Sequence, residues 1–354
     1  MILKLKPELN TQQRDLFISF LQGQGIDFLL REIYGMHLCL IFSDIENAQI
    51  VYLSSLPFIE EVVDTPKEYL LASNTWKKSS TCFDVEGQII GGKEINIIAG
   101  PCSVESEEQI FKIAEHLHSL GLKFIRGGAY KPRTSPYRFQ GLGIDGLKYI
   151  RKAADAYDLR VVTEVIDSSL IPEVSEYADI LQVGSRNMQN YYFLKQLGKI
   201  NKPVLLKRGM YARIDEWLMA AEYILSAGNE KVILCERGIR TFDTSVRNTM
   251  DITAFPLIKS LSHLPVFSDP SHGTGIRNLV TPLALASVAA GADGIMVEIH
   301  PDPDKALSDG MQSLYLEQFT DLINKARQVA AAINRSLDND SANDKQKKQN
   351  ICVE

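Results

Sequence analysis

The strongest constraint on the fold is a series of eight short apolar runs between residues 95 and 300, separated by stretches with helical periodicity. Continuous apolar strands are typical of sheets covered on both faces, and alternation with helices favours parallel pairing. The pattern therefore predicts a parallel sheet enclosed by helices. The runs are INIIAG (95–100), KFIRGG (123–128), RVVTEV (160–165), DILQVG (179–184), PVLLKRG (203–209), KVILCERG (231–238), PVFSDPSH (265–272) and GIMVEIH (294–300).

The length of this segment favours a closed barrel. Residues 94–335 make up about 240 residues, close to the ~250 that are typical of a (β/α)8 barrel. A doubly wound open sheet is the alternative. The segment has no G-x-G-x-x-G after a strand and no G-x-x-x-x-G-K-[ST], which weakens a nucleotide-binding interpretation. We therefore expect an α/β fold with a (β/α)8 TIM barrel.

The first 65 residues predict a separate small α+β domain. Their pattern is strand, helix, strand, strand, helix, strand, which is the split βαβ order of ferredoxin-like domains. The predicted elements are 2–6, 12–21, 27–33, 38–42, 45–53 and 59–63. The irregular stretch 66–93 predicts a linker that ends in a short hairpin. Residues 336–354 carry mixed charge and no aromatic side chain, so we expect a disordered polar tail.

Composition excludes several classes of protein. A net charge of −6 without a basic run argues against nucleic-acid binding. No apolar run approaches the ~18 residues of a membrane span, and the N-terminus lacks the features of a secretory signal. Five scattered cysteines without a C-x-x-C pair indicate neither a disulfide framework nor a zinc knuckle. We expect a cytoplasmic protein with no nucleic-acid or membrane partner.

Basic side chains gather at the carboxyl ends of the predicted strands, where barrels carry their catalytic groups. An acidic chain that concentrates cations at one mouth is suited to anions, and phosphorylated substrates fit best. The alternative is that some of these cations pair with Glu164, Glu236 or Asp269 to hold the barrel top together. The cations are Arg126, Lys131, Arg133, Arg186, Lys207 and Arg237.

A second set of strand-end residues has the chemistry of a metal site. It consists of Cys102, His272, Glu298 and, in the following loop, Asp309. A thiolate, an imidazole and two carboxylates suit Mn²⁺, Fe²⁺, Co²⁺ or Zn²⁺ better than Mg²⁺ or Ca²⁺. The spacing alone is weak evidence, because the ligands come from separate strands. A small buried hydrophobic role is the alternative for Cys102.

Eight motifs carry a family resemblance. They are AGPCSVES (99–106), KFIRGGAYKPRTSPYRFQGLG (123–143), VVTEV (161–165), QVGSRNMQN (182–190), KPVLLKRG (202–209), LCERGIRTFD (234–243), SDPSHGTG (268–275) and MVEIHPDPDKALSDG (296–310). The motifs resemble those of 3-deoxy-D-arabino-heptulosonate 7-phosphate (DAHP) synthases, and more narrowly the short-barrel type I enzymes related to KDO8P synthases, in the branch with an N-terminal ferredoxin-like extension. The resemblance covers residues 95 to about 335 in the right order.

The resemblance implies an activity, the condensation of phosphoenolpyruvate with erythrose 4-phosphate to DAHP and phosphate. It also implies roles for individual residues. The phosphoenolpyruvate positions are Arg126, Lys131, Glu164, Arg186, Lys207 and Arg237. The erythrose 4-phosphate positions are Lys131, Pro132, Arg133, Thr134 and Ser135, with Asp309. The ligands of one divalent metal ion are Cys102, His272, Glu298 and Asp309.

The implied mechanism uses the metal ion as a Lewis acid on the aldehyde of erythrose 4-phosphate. We expect Lys131 to deliver a proton to the developing alkoxide, with a metal-bound water or His272 as alternatives. The catalytic set is therefore Lys131, His272 and Cys102.

Two other functions compete with this one. KDO8P synthase runs the same chemistry on arabinose 5-phosphate, but that family resembles K-A-N-R-S where this chain has KPRTS (131–135). A non-catalytic sensor with a vestigial barrel is opposed by the intact metal ligands and cations.

The resemblance also implies partners. The small domain is expected to bind tyrosine or phenylalanine as a feedback inhibitor, and a purely structural or oligomerising role is the alternative. A homodimer or homotetramer is expected.

Overall fold

The computed structural model describes residues 1–7, 9–33, 35–63, 69–133 and 135–337. Thr134, residues 66–68 of the predicted linker and residues 338–354 of the predicted tail lie outside the described residues. Within the described ranges, no helix is both long and apolar enough to cross a membrane.

The small domain is a four-stranded antiparallel sheet with two helices. Its strand order, β2-β3-β1-β4, is that of the predicted ferredoxin-like arrangement. Helix α1 begins after Asn10, whose side chain accepts the Gln13 N–H at 2.8 Å. The elements are β1 (Ile2–Leu5), α1 (Thr11–Gly23), β2 (Phe28–Ile33), β3 (Met36–Ile41), α2 (Asn47–Ser55) and β4 (Ile59–Val63).

A closed parallel barrel follows, as predicted. A hairpin precedes it, β5 (Phe83–Val85) and β6 (Gln88–Ile90). The barrel strands are β7 (Glu94–Gly100), β8 (Phe124–Arg126), β9 (Arg160–Glu164), β10 (Ile180–Val183), β11 (Val204–Lys207), β12 (Val232–Glu236), β13 (Val266–Ser268) and β14 (Gly294–Glu298). Pairing of β14 with β7 closes the ring and sets Glu298 opposite Gly100.

Helices follow every barrel strand and cover the outside of the sheet. They are α3 (Glu107–Ser119), α4 (Ile144–Ala156), α5 (Ile171–Tyr177), α6 (Tyr191–Leu197), α7 (Ile214–Ser226), α8 (Ala254–Leu261), α9 (Pro270–Thr274), α10 (Arg277–Ala289) and α11 (Leu316–Ala332). Two of them, α9 and α10, follow β13.

The hairpin closes the floor of the barrel. Val85 and Ile90 belong to one buried cluster with inward-facing side chains from all eight barrel strands. A packed interior of this kind leaves the opposite, carboxyl end of the strands as the place for a site. The inward-facing residues are Ile98, Phe124, Val162, Ile180, Leu205, Ile233, Cys235, Phe267 and Met296.

A short strand after α11 adds to the barrel sheet. Ser336 and Leu337, assigned to the tail on sequence grounds, form strand β15 and pair with Glu94 and Ile95 of β7. Leu337 is fully buried. Burial of this apolar side chain extends the ordered chain past the predicted boundary at residue 335.

Both faces of the small domain's sheet are apolar because both are covered. Leu3 and Cys39 pack with α1 and α2. Their neighbours Ile2, Leu38 and Leu40 point the other way and share a buried cluster with residues of α7. Side chains alternate between the two faces of a strand, so this pattern follows from a sheet that lies between two helices and the barrel.

Buried polar groups on the barrel helices and loops hold the segment that joins the small domain to the barrel. The Glu222 carboxylate on α7 accepts the N–H groups of Leu71 and Ala72 at 2.8 and 2.9 Å. The His263 ring lies 2.6 Å from the Leu71 carbonyl oxygen and 2.7 Å from the Thr81 hydroxyl. Since a carbonyl oxygen only accepts, Nε2 of His263 carries the proton and Nδ1 accepts from Thr81.

This anchor makes stability depend on pH. Burial lowers the pKa of His263 to about 4, whereas an unfolded histidine titrates near 6.5. Protons therefore bind the unfolded chain first as the pH falls, and the anchor's stabilisation, complete above pH ~6.5, is lost down to about pH 4. The unfolding free energy of the unmodified chain should therefore fall between pH 7.5 and pH 5, with about 2 kcal/mol of the decrease due to His263. We expect this part of the decrease to be absent in His263→Gln, measured by urea denaturation at both pH values.

The exposed His37 supplies the control. His37→Gln is expected to leave the pH dependence of the unfolding free energy as it is in the unmodified chain. Equal pH dependence in His263→Gln and the unmodified chain contradicts the role given to His263.

Candidate active site

A thiol and two carboxylates meet at the carboxyl end of the barrel. Ligand atoms of Cys102, Glu298 and Asp309 all lie within 4.8 Å of one another. Closure of the barrel brings the first two together, because Cys102 follows β7 and Glu298 ends β14. Asp309 enters from the loop after β14 with a positive φ of 52°, and its Oδ2 lies 3.2 Å from the Cys102 sulfur.

The fourth predicted ligand adjoins this cluster. Nε2 of His272 lies 3.4 Å from Oε1 of Glu298, although the imidazole is outside the 4.8 Å group. Its other nitrogen, Nδ1, lies 2.8 Å from Oδ2 of Asp269, whose Oδ1 accepts the His272 backbone N–H at 3.0 Å. A carboxylate behind a histidine is the arrangement that orients metal-binding imidazoles.

The electrostatics of the cluster suit a divalent cation. Burial and the nearby Glu298 and Asp309 charges raise the pKa of the Cys102 thiol to about 12. Burial also works against the Glu298 carboxylate, but His272 and Arg126 lower its pKa to about 2. A buried thiol between two carboxylates is protonated until a cation binds, and metal ions deprotonate the thiols that coordinate them. The donor set therefore fits a first-row divalent metal ion.

Some of the predicted cations are neutralised by carboxylates. Arg126 Nη1 lies 2.6 Å from Glu298 Oε1, and Lys207 Nζ lies 2.5 Å from Asp269 Oδ2. Arg208, beside Lys207 in the sequence, pairs with Glu236 at 2.9 Å. The alternative interpretation, pairing with Glu164, Glu236 or Asp269, therefore describes Lys207, whereas Arg126 pairs with the predicted metal ligand Glu298.

Three other guanidinium groups have no such partner. Within the described part of the chain, no carboxylate lies within 4.0 Å of Arg133, Arg186 or Arg237. Arg133 donates to the Ser308 hydroxyl at 2.6 Å, Arg186 to the Pro132 carbonyl at 3.0 Å and Arg237 to the Gly238 carbonyl at 3.3 Å. Their direct hydrogen-bond acceptors are neutral, so these three groups are available to anions.

All three line one cavity of about 670 Å³ at the barrel mouth, a volume in the range of small-molecule sites. His272 and Asp309 open onto the same cavity, so it is continuous with the thiol–carboxylate cluster. Other predicted residues that line it are Arg126, Lys131, Pro132, Ser135, Glu164 and Lys207.

Lys131 contacts the thiol–carboxylate cluster and also lines the cavity. Its Nζ lies 3.1 Å from the Cys102 sulfur and 3.0 Å from the Cys102 carbonyl oxygen. Burial opposes its charge, but the Glu164 and Glu298 carboxylates act in the other direction, and the pKa of Lys131 is raised. The ammonium group is therefore protonated in the neutral range.

The Glu164 carboxylate lies against a glycine and lines the cavity. A Cβ built on Gly184 would lie 2.2 Å from Glu164 Oε1. A side chain at position 184 would therefore displace the carboxylate from its present position.

Sequence reasoning missed several polar residues of the site. Ser308 lies 2.9 Å from the Cys102 sulfur, and Gln312 donates to Glu298 Oε2 at 2.6 Å. Proximity to Asp309 in the sequence was the signal available for both. Arg247 lines the cavity from the loop between β12 and α8, where no strand end marks it. Asp269, a predicted partner of the strand-end cations, also contacts His272.

Comparisons with known proteins agree with this geometry. The model of the DAHP synthetase I family matches residues 73–335. The chain belongs to the DAHP synthetase I family. A phospho-2-dehydro-3-deoxyheptonate aldolase from Thermotoga maritima is 53% identical over 279 residues, which cover 79% of this chain and 82% of that protein. The resemblance inferred from the motifs is confirmed.

Solved structures extend the likeness to the small domain. The crystal structure of the Thermotoga maritima DAHP synthase superposes with a TM-score of 0.76 at 46% identity, covering 95% of this chain and 98% of that one. More distant family relatives include a 2-dehydro-3-deoxyphosphooctonate aldolase from Syntrophobacter fumaroxidans, 33% identical over 69% of this chain and 90% of that protein.

Cobalt binding tests the thiol–carboxylate cluster without reference to turnover. We expect Co²⁺ added to metal-free protein to give a sulfur-to-metal charge-transfer band in the near ultraviolet, because coordination converts the Cys102 thiol to a thiolate. The band is expected to saturate at one ion per chain and to disappear with EDTA, followed by absorption spectroscopy.

Two serine variants give the comparison. Cys102→Ser is expected to lose the band, and Cys82→Ser, which changes a half-buried cysteine outside the cluster, to keep it. A band that survives in Cys102→Ser shows that sulfur from another residue binds the ion.

Proposed function

We propose that this chain condenses phosphoenolpyruvate with D-erythrose 4-phosphate and water to give DAHP and phosphate, the first step of the shikimate route to aromatic amino acids. The observation that carries the proposal is the convergence of the guanidinium groups of Arg133, Arg186 and Arg237 on one cavity beside the thiol–carboxylate cluster. Two phosphates and one carboxylate are the anions that this pair of substrates brings, and the cavity supplies the charges to hold them.

The proposed substrate contacts divide the cavity. Phosphoenolpyruvate contacts Arg126, Lys131, Glu164, Arg186, Lys207 and Arg237. Erythrose 4-phosphate contacts the loop of Lys131, Pro132, Arg133, Thr134 and Ser135, together with Asp309. Arg133 is well placed for this role, because its guanidinium contacts Ser308, the neighbour of Asp309.

Cys102, His272, Glu298 and Asp309 are proposed to hold one divalent metal ion, Mn²⁺, Fe²⁺, Co²⁺ or Zn²⁺. When bound, the ion supplies Lewis acidity toward a carbonyl oxygen. Asp269 keeps the His272 ring oriented toward Glu298.

The reaction then makes one carbon–carbon bond and one carbon–oxygen bond, and it breaks one carbon–oxygen bond. C3 of phosphoenolpyruvate bonds to the aldehyde carbon, and the protonated Lys131 delivers a proton to the developing alkoxide. Water adds at C2 and releases one proton, which balances the proton given by Lys131. The bond between C2 and the phosphate oxygen then breaks, and the proton of the new C2 hydroxyl leaves with the phosphate. Arginines that fix both phosphates hold the reacting carbons together, a contribution that can reach ~7–11 kcal/mol.

A direct assay tests the activity. We expect loss of the ultraviolet absorbance of phosphoenolpyruvate when erythrose 4-phosphate and Mn²⁺ are present, and no loss after EDTA treatment, because the proposed site needs its ion. Arabinose 5-phosphate serves as the parallel sugar, and consumption with that sugar alone would instead assign KDO8P synthesis.

The same assay examines Lys131. Lys131→Met keeps much of the side-chain volume but has no proton to give, so kcat is expected to fall by about 10²- to 10⁴-fold. An unchanged kcat removes Lys131 as the donor and leaves His272 or a water. Absence of turnover with either sugar in the unmodified, Mn²⁺-loaded chain contradicts the proposed function.

We further propose that the small domain binds an aromatic amino acid as a feedback inhibitor. Among the described residues that line the cavity at the barrel mouth, none comes from residues 1–63. A second cavity of about 400 Å³ lies between the two parts, lined by residues that include Ile2, Phe42, Met219 and Tyr223. Its apolar and aromatic walls support ligand binding near this boundary.

Deletion of residues 1–65 tests this regulation. We expect the shortened chain to keep turnover and to lose inhibition by tyrosine and phenylalanine, measured with the phosphoenolpyruvate assay. A truncated Thermotoga maritima DAHP synthase, solved as a structure, matches 76% of this chain at 48% identity and is a guide to the design. Inhibition that persists in the shortened chain contradicts the proposal.

We propose from the resemblance that the enzyme works in the cytoplasm as a homodimer or homotetramer. Light scattering of the purified chain gives its assembly state directly, and a monomer contradicts this part.

A further inference from the structure

The loop between β12 and α8 presents a cation that none of the assignments above includes. Ile239 and Thr249 form an antiparallel bridge that closes the loop, with backbone hydrogen bonds of 2.9 and 2.8 Å. Within it, the Arg247 N–H donates to the Thr274 carbonyl oxygen at 3.0 Å, and the Asn248 side chain donates to the His272 carbonyl oxygen at 3.1 Å. The loop is therefore tied to α9, the helix that carries His272.

The stem of Arg247 rests on a glycine. A Cβ built on Gly275 would lie 3.2 Å from both Cβ and Cδ of Arg247. Gly275 has a φ of +74°, a conformation that glycine adopts without strain. The stem of Arg247 is thus supported on one side, while the side chain as a whole is 45% exposed and lines the 670 Å³ cavity.

The charge of Arg247 is poorly compensated. Its nearest acceptor is Oε1 of Gln312 at 3.4 Å, and the carboxylate of Asp309 is 3.9 Å away. Arg237 shares the cavity, and, after burial, the positive charge of Arg247 is what most lowers the pKa of Arg237. Two guanidinium groups that repel each other across a cavity are both stabilised when an anion enters.

We propose that Arg247 is a further substrate-binding residue that contacts a phosphate monoester at the outer edge of the cavity. The inference rests on the proposed function, in which both substrates carry such a group. Arg247 lies near Arg237, on the phosphoenolpyruvate side, and near Asp309, on the erythrose 4-phosphate side. The chemistry is the same for either phosphate, and separate Michaelis constants identify which one is bound.

Kinetics of Arg247→Ala, Arg247→Lys and Arg240→Ala test the role. Arg247→Ala is expected to raise KM for one of the two substrates about tenfold, with kcat within threefold, because a hydrogen bond to a charged group is lost. Arg247→Lys is expected to recover part of the affinity through its charge. Arg240 is the matched control, since it lies in the same loop but donates to the Tyr211 hydroxyl at 2.8 Å outside the cavity.

Mn²⁺ affinity distinguishes a substrate-binding role of Arg247 from an indirect role, in which Arg247 positions the proposed metal ligand Asp309. It is expected to be equal in Arg247→Ala and the unmodified chain by titration calorimetry. A tenfold weaker Mn²⁺ affinity, or unchanged KM values for both substrates, overturns the proposal.

Calorimetric titration of the Mn²⁺-loaded proteins with phosphoenolpyruvate or erythrose 4-phosphate distinguishes failure of the proposed function from failure of the role proposed for Arg247. If the unmodified chain binds either ligand without turnover and Arg247→Ala binds it more weakly, the proposed function fails and the role of Arg247 stands. If the unmodified chain binds neither ligand, both fail.

Discussion

The site depends on one buried carboxylate, that of Glu298. Closure of the barrel fixes its place, because β14 pairs with β7 along its whole length. Its charge is held by Arg126 at 2.6 Å and by the amide of Gln312 at 2.6 Å. Loss of one partner of a buried charge pair typically costs about 3–5 kcal/mol, since it leaves the other charge uncompensated. The same residue that organises the proposed metal site is therefore also part of what keeps the barrel mouth in shape.

Charge compensation divides the cations of the mouth into two groups. Lys207 and Arg126 already face carboxylates, so an arriving anion meets charges that are partly neutralised. Among the described residues, Arg133, Arg186 and Arg237 donate to neutral oxygens and form no ion pair, so they gain most from an anion. The barrel mouth thus combines cations in ion pairs with guanidinium groups that are available to a ligand. This combination suits substrates that bring several negative charges.

The barrel could be predicted because its strands are continuous apolar runs. The carboxyl ends of parallel strands all lie at one end of a barrel, so the location of the site did not depend on the loops. The prediction was less accurate where a run leads into a turn. Run 265–272 contains only the three-residue strand Val266–Ser268, because Asp269 caps a short helix that begins at the next residue. The hairpin was expected in the linker, but its position under the barrel depends on the contact of Val85 and Ile90 with eight distant strands.

The site residues at strand ends could be predicted, whereas several of those on long loops could not. Cys102, Lys207 and Glu298 could be found from their places at strand ends. Gln312 and Arg247 could not, because their positions are set by loops that are tied to other loops, such as the hydrogen bond from Arg247 to Thr274. Periodicity carries no information about contacts of that kind, so the residues that complete a barrel site are the ones that sequence reasoning tends to miss.

The small domain poses a different energetic problem. Its sheet buries Ile2, Ile33, Leu38 and Leu40 in a cluster shared with the barrel helices. At about 1.5–3 kcal/mol for each side chain, these four side chains contribute roughly 6–12 kcal/mol to docking. A ligand shifts such an equilibrium only by the difference in its affinity for the docked and displaced arrangements. Moving the whole domain off α7 would demand most of that energy from a small molecule. An effector at this boundary is therefore better matched to a small change in how the sheet packs on α7, transmitted through the barrel helices, than to complete undocking.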